Sequence, residues 1–126
     1  GQVVVSWRDV IQGARNSGDG RNVVIHEFAH CLDGLDGEMG GSLQFGDAAT
    51  DKRWEQVSAA EYDRLVMAVR HRQPTLIDRY GATNRAEFFA VGSEVFFERP
   101  AEFRQWHPEL YDLLVKYYQL DPIKWH

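Results

Sequence analysis

Two histidines stand four residues apart at His26 and His30, with Glu27 directly after the first, inside "NVVIHEFAHCLDG" (residues 22 to 34). An α-helix advances 100° per residue, so positions i and i+4 lie one turn apart on one face. Two imidazoles placed there can close on a single ion at about 2.0–2.1 Å per Zn–N bond. Glu27, rotated one step, would hold its carboxylate beside the ion, where it can take a proton from an activated water, the role of this residue in H-E-x-x-H sites. The pattern fixes only three residues and also occurs on ordinary polar helix faces. Its placement argues for chemistry: "VVI" before it and "FA" within it press the polar groups against core, where they need partners.

A catalytic zinc needs a third protein ligand and an open position. The metzincin spacing falls on Asp33 where a Gly is wanted for the turn and on Asp36 as ligand, so the chain would have to bend at a non-glycine residue. Glu55 and Glu61 are available for a glutamate from the next helix, with nothing distinctive around them. Glu87 and Glu94 lie seven apart, on one helical face, within "NRAEFFAVGSEVFFE". A carboxylate among so many aromatic side chains must be paired, ligated or protonated. Asn84 and Glu87 also have capping-box spacing, so Glu87 has a plain alternative as a helix cap, and Glu94 as an exposed helix charge. Spacing leaves the choice open.

The elements that must position these residues can be read in outline. "VVVSW" (residues 3 to 7) is β-branched and aromatic and reads as a strand. The Gly-rich stretch 12 to 22 is a loop. Val24, Phe28, Leu32 and Leu35 recur at helical spacing, with Gly34 and Gly37 as stops. Residues 36 to 50 form a Gly-rich loop that can gate a cleft. A second helix from about Asp51 carries Trp54, Val57, Leu65 and Val69 on one side and ends before Pro74. A third starts at Thr83 or Asn84 and stops at Pro100, and two more pieces span about 100 to 106 and 108 to 119. The expected fold class is α+β, mainly helical, with a short edge strand or small sheet packed on the H-E-x-x-H helix.

At 126 residues, 44% hydrophobic and 13% aromatic, the chain reads as one globular domain spanning residues 1 to 126. A net charge of −5 with scattered Lys and Arg argues against a phosphate-binding surface, hence no nucleic acid. No apolar run approaches the ~20 residues of a membrane span. The single cysteine suits a reducing compartment, and a soluble cytoplasmic protein is the default. Gly1 followed by an immediate strand suggests a core taken from something longer. Cys31 reads as a small buried group, and His71 as a solvated helix end. His107 and His126 show no partner pattern. "YDLLVKYYQL" reads as a packing helix.

"NVVIHEFAHCLDGLDG" together with "YGATNRAEFFAVGSEVFFERP" resembles the catalytic core of the Mlc titration factor A family of zinc peptidases, itself distantly similar to the anthrax lethal factor catalytic domain. The likeness runs from "VVVSW" through "FFERP". It implies a zincin-like fold, one Zn2+ per chain held by His26, His30 and Glu87, and Glu27 as general base. It further implies Tyr80 as the hydroxyl that steadies the oxyanion, Asp33 and Glu94 as partners orienting the ligand histidines, and the 3 to 7 strand as an edge for an extended peptide. The founding member is linked to binding the repressor Mlc and to aminopeptidase-like activity. No residue here can be assigned to that protein contact. The expected function is peptide-bond hydrolysis of a peptide or protein substrate by metal-activated water. The alternative is a metal-stabilised binding module that captures a protein partner, such as a transcriptional regulator, without turnover. The same donors would accept cobalt or nickel.

Overall fold

A computed structural model of the chain describes residues 22–35 and 43–125, together with Ile11 and Gly13. The expected strand at 3 to 7, residues 36–42 of the expected 36 to 50 loop, and His126 lie outside the described residues. Within them the architecture is helical, with five delimited α-helices, two 3-10 turns and no strand. Ile11 and Gly13 are helical as well, so Gly13 does not lie in the loop expected at 12 to 22. In chain order these are α1 (Val23–Leu35), α2 (Ala48–Arg70), a 3-10 turn (Arg79–Ala82), α3 (Arg85–Glu98), α4 (Pro100–Trp106), α5 (Pro108–Tyr118) and a closing 3-10 turn (Pro122–Trp125). Among the described residues no helix is long and apolar enough to cross a membrane.

The centre is α3. Every residue from Phe88 to Glu98 is buried, so this helix is wrapped on all sides, as an all-round apolar helix must be. Asn84 starts it by accepting the Glu87 N–H at 2.9 Å. Pro100, which cannot continue it, opens α4 at its first turn. Phe96 and Phe97 meet edge to face at 4.8 Å between centroids, and Phe97 meets Tyr118 at 4.8 Å. Burying each such ring contributes on the order of 2–3 kcal/mol, enough to fix α5 against α3.

Helix α2 begins earlier than the periodicity predicts. Asp47 caps it, its carboxylate accepting the N–H groups of Ala49 and Thr50 at 3.3 Å each, so the last residues of the expected 36–50 loop are helical. Its buried side carries Trp54, Val57 and Leu65 as expected, together with Ser58 and Glu61. Tyr62 donates to the Ala82 carbonyl at 3.1 Å and so ties the first 3-10 turn to α2. Gly81 in that turn is a close approach: a Cβ there would stand 3.3 Å from Ile77 Cγ2 and 3.3 Å from Leu65 Cδ2.

The inward face of α1 departs from expectation at its start, while Leu32 is buried and Phe28 packs partly buried against the core as expected. Ile25, Ala29 and Leu32 face the core, whereas Val24 is 56% exposed. The reason is that α1 packs along α3, and the face it turns there must also carry His26 and His30 toward the carboxylates of α3.

Candidate metal centre

Asn22 builds the start of α1. Its side-chain oxygen accepts the Ile25 N–H at 3.2 Å, an N-cap that turns the chain into helix just before the histidines. The same buried residue reaches across to α3 twice: its backbone N–H donates to Glu94 Oε1 at 3.0 Å, and its amide nitrogen donates to Glu98 Oε1 at 3.3 Å. Sequence reasoning placed Asn22 at the end of a loop. An Asn immediately before an apolar helical run carries a capping signal, but nothing in the chain order announces a bond across 76 residues.

Glu94 serves a second purpose. Its other oxygen, Oε2, stands 3.3 Å from His26 Nδ1, which leaves His26 Nε2 turned to Glu87 Oε2 at 3.5 Å. From one turn further along α1, His30 presents Nε2 to Glu87 Oε1 in direct contact. The two imidazoles lie edge to face at 4.8 Å between centroids. Both Nε2 atoms therefore converge on one carboxylate, and its side chain is only 12% exposed. Glu87 offers its backbone N–H to Asn84 but turns its carboxylate to the histidines rather than back to the cap.

His26, His30 and Glu87 together present ligand atoms within 4.8 Å of one another, a possible metal site. Two tetrahedral bonds of about 2.0–2.1 Å set their ends about 3.3 Å apart, close to the His26–Glu87 spacing of 3.5 Å. Two imidazoles and one carboxylate are a donor set that suits a divalent transition ion. The residues present fit such an ion.

Tyr80 projects beside this cluster, with its ring centroid 6.2 Å from that of His26. Its hydroxyl hydrogen-bonds to Glu87, and that bond, joined by the charges of Glu87 and Glu27, raises its pKa above the usual phenol value. The side chain is 54% exposed, so the group stands at an open surface rather than in core. Glu27 is likewise exposed and lies near enough for its charge to be felt at Tyr80.

Asp33 is fully buried on α1, and its charge is felt at the Tyr118 hydroxyl. Burial chiefly, with Asp33 adding, pushes that hydroxyl far above the phenol range, while its 2.7 Å bond with Ser93 works the other way. The buried Nδ1 of His30 has no hydrogen-bond partner among the described residues, Asp33 included. The structure thus brings Glu94 to a histidine, and the charge of buried Asp33 reaches Tyr118 of α5.

The other glutamates weighed as ligands are occupied elsewhere. Glu55 lies 3.7 Å from Arg85. Glu61 is buried, accepting from Arg64 Nε at 2.9 Å and meeting His107 Nδ1 at 2.5 Å. His107, which showed no partner pattern in sequence, therefore has one; its helix-junction position hid a contact made 46 residues away. Cys31, expected to be buried, is exposed, because α1 turns its opposite face to α3. His71 is exposed at the end of α2, as expected. Asp36 lies outside the described residues.

Residues 1–119 match the family model described as Glucose-regulated metallo-peptidase M90. The chain belongs to this family. Within the M90 family it is 43% identical over 123 residues to the uncharacterized protein slr2042 of Synechocystis, an alignment covering 98% of this chain and 45% of that protein. It is 32% identical over 126 residues to Mlc titration factor A of Escherichia coli, covering 98% of this chain and 47% of the relative. Mlc titration factor A of Shigella flexneri aligns at the same identity. The chain spans about half the length of the curated relatives it matches. The family resemblance carried by the two motifs is thereby established.

Proposed function

We propose that this M90 chain is the zincin-like catalytic domain of a zinc-dependent peptidase, with His26, His30 and Glu87 as metal ligands. The observation that carries the reading is the convergence of both histidine Nε2 atoms on the single carboxylate of Glu87, with the ring of Tyr80 beside His26. When bound, zinc supplies Lewis acidity toward a carbonyl oxygen and makes water a competent nucleophile near neutral pH.

The chain's own residues do the rest. Glu94 holds His26 through Nδ1, so that Nε2 keeps its lone pair toward the ligand cluster. Glu27, beside the cluster and open to solvent, takes the proton of the attacking water and passes it to the leaving amine. Tyr80 donates its O–H to the oxygen that gains charge as the carbonyl becomes tetrahedral. A phenol with its ordinary pKa of about 10 already holds that proton across the physiological range. An extended peptide would pair along the strand expected at residues 3 to 7. One cysteine and the acidic composition suit a cytoplasmic setting.

A second reading is favoured by the name of the relatives, Mlc titration factor A, which points to capture of a protein rather than turnover. In that case the chain would be a metal-stabilised module whose site holds the fold and whose partner is a regulator such as Mlc. The two readings separate at Glu27. Metal content per chain, together with hydrolysis of a mixed peptide library, is to be measured on the parent, Glu87→Ala and Glu27→Gln. The peptidase reading expects about one zinc in the parent, a sharp loss in Glu87→Ala, and full metal without turnover in Glu27→Gln. Equal turnover in Glu27→Gln would sink it, and no turnover in a zinc-loaded parent would favour capture.

A further inference from the structure

A cavity of about 610 Å3 opens between α2, the segment 74–77 and the α4–α5 junction, and it shares no lining residue with the His26–His30–Glu87 cluster. That volume lies within the 300–1,000 Å3 range of small-molecule sites. Leu65 and Ile77 supply apolar wall, and Trp106, 68% exposed, adds an indole face. An aromatic side chain left so open beside a concave apolar wall can take a flat apolar body by stacking.

The charged lining selects the rest of the ligand. Arg64, Arg99 and Glu61 all border the cavity. Glu61 is already matched: Arg64 holds Oε1, and His107 stands at Oε2. A buried carboxylate so satisfied does not call for a ligand cation. Arg64 turns Nε and Nη2 to Glu61, and Arg99 turns Nε and Nη2 to Glu102, so the Nη1 donors of both lie outside those pairs. The Arg99–Glu102 pair is a surface one, with Glu102 49% exposed, and such pairs exchange at little cost. A guanidinium offers five donors in a fork that fits a carboxylate.

We propose that this cavity is a second ligand site, binding a planar aromatic carboxylate whose ring lies against Trp106 and whose carboxylate is taken by Arg99 with Arg64. It is separate from the proposed peptidase centre and stands or falls independently of it.

The probe is indole-3-acetate, titrated calorimetrically into the whole chain beside its neutral amide, indole-3-acetamide, and its cationic analogue, tryptamine. Saturable binding of the acetate is expected, with the amide and the amine weaker by about tenfold or more. Arg99→Gln and Trp106→Ala should each weaken the acetate by about tenfold, with circular dichroism and metal content unchanged. Both side chains are exposed enough that one variant at least should fold. Because a carboxylate can also bind zinc, the titration is repeated in Glu87→Ala, where binding should persist. Three results would overturn the proposal: no saturation up to ~10 mM acetate, an amide that binds as tightly as the acetate, or binding lost in Glu87→Ala yet retained in Arg99→Gln. The last would place the probe at the metal cluster and leave the peptidase reading intact.

Discussion

The backbone N–H of Asn22 donates to Oε1 of Glu94 at 3.0 Å, across 72 residues of sequence, while Oε2 of the same carboxylate stands 3.3 Å from His26 Nδ1. One side chain of α3 thus holds both the first residue before the histidine helix and one of its histidines. The orientation of the His26 ring is coupled to where that helix begins. Glu94→Gln keeps the acceptor for Asn22 but weakens the charged contact to His26. Zinc affinity, measured by competition with a chromophoric chelator, should fall by about 10–100-fold with little change in the thermal melt. Unchanged affinity would remove Glu94 from the site.

Asn22→Ala removes the cap of α1 and a donor to the buried Glu98. Each loss costs about 1 kcal/mol. Urea unfolding should show a destabilisation of roughly 2 kcal/mol. Asn22→Asp, which keeps the cap acceptor but faces two carboxylates, should be worse than alanine. An Asp variant at least as stable as the parent would contradict the contact to Glu98.

Tyr80 presents a hydroxyl whose pKa lies above the usual phenol value because it hydrogen-bonds to Glu87. Tyr80→Phe should lower peptide turnover by on the order of 10²-fold while metal content holds. Ultraviolet difference titration of the metal-free parent against metal-free Tyr80→Phe checks the shift, and a phenol titrating below the ordinary range would refute it.

Glu61 is buried, and although desolvation raises its pKa, the hydrogen bonds from His107 and Arg64 outweigh that and leave it lowered overall. A carboxylate whose folded pKa lies below its unfolded value of 4.5 contributes stability that is fully present above that value. The contribution is lost as pH falls through the lower folded pKa. Glu61→Gln should therefore be less stable than the parent at pH 7, and the difference should shrink below about pH 4. A constant gap from pH 7 to pH 3 in chemical-denaturation midpoints would show that the ion pair is not the cause.

Phe97 is fully buried among Phe96, Tyr118 and Trp125. Phe97→Ala should cost about 3–5 kcal/mol in unfolding free energy and should release α5 and the closing 3-10 turn together. Hydrogen exchange of residues 108–125 would report it; protection as in the parent would show that the cluster does not hold these elements.

The chain order by itself determined the helices, because their signals are local: Asn84 before an apolar run, Pro100 after it, and Trp54, Val57 and Leu65 at helical spacing. It likewise determined which residues could share a face, and His26 with His30 needed nothing beyond the helical repeat. The tertiary structure decided which face of α1 turns inward, since "VVI" offers three apolar neighbours and only packing against α3 selects Ile25. It decided also which of the available glutamates meets the histidines, and it gave His107 its partner in Glu61. These are contacts across tens of residues, where the geometry of packed helices, not periodicity along one of them, sets the distance.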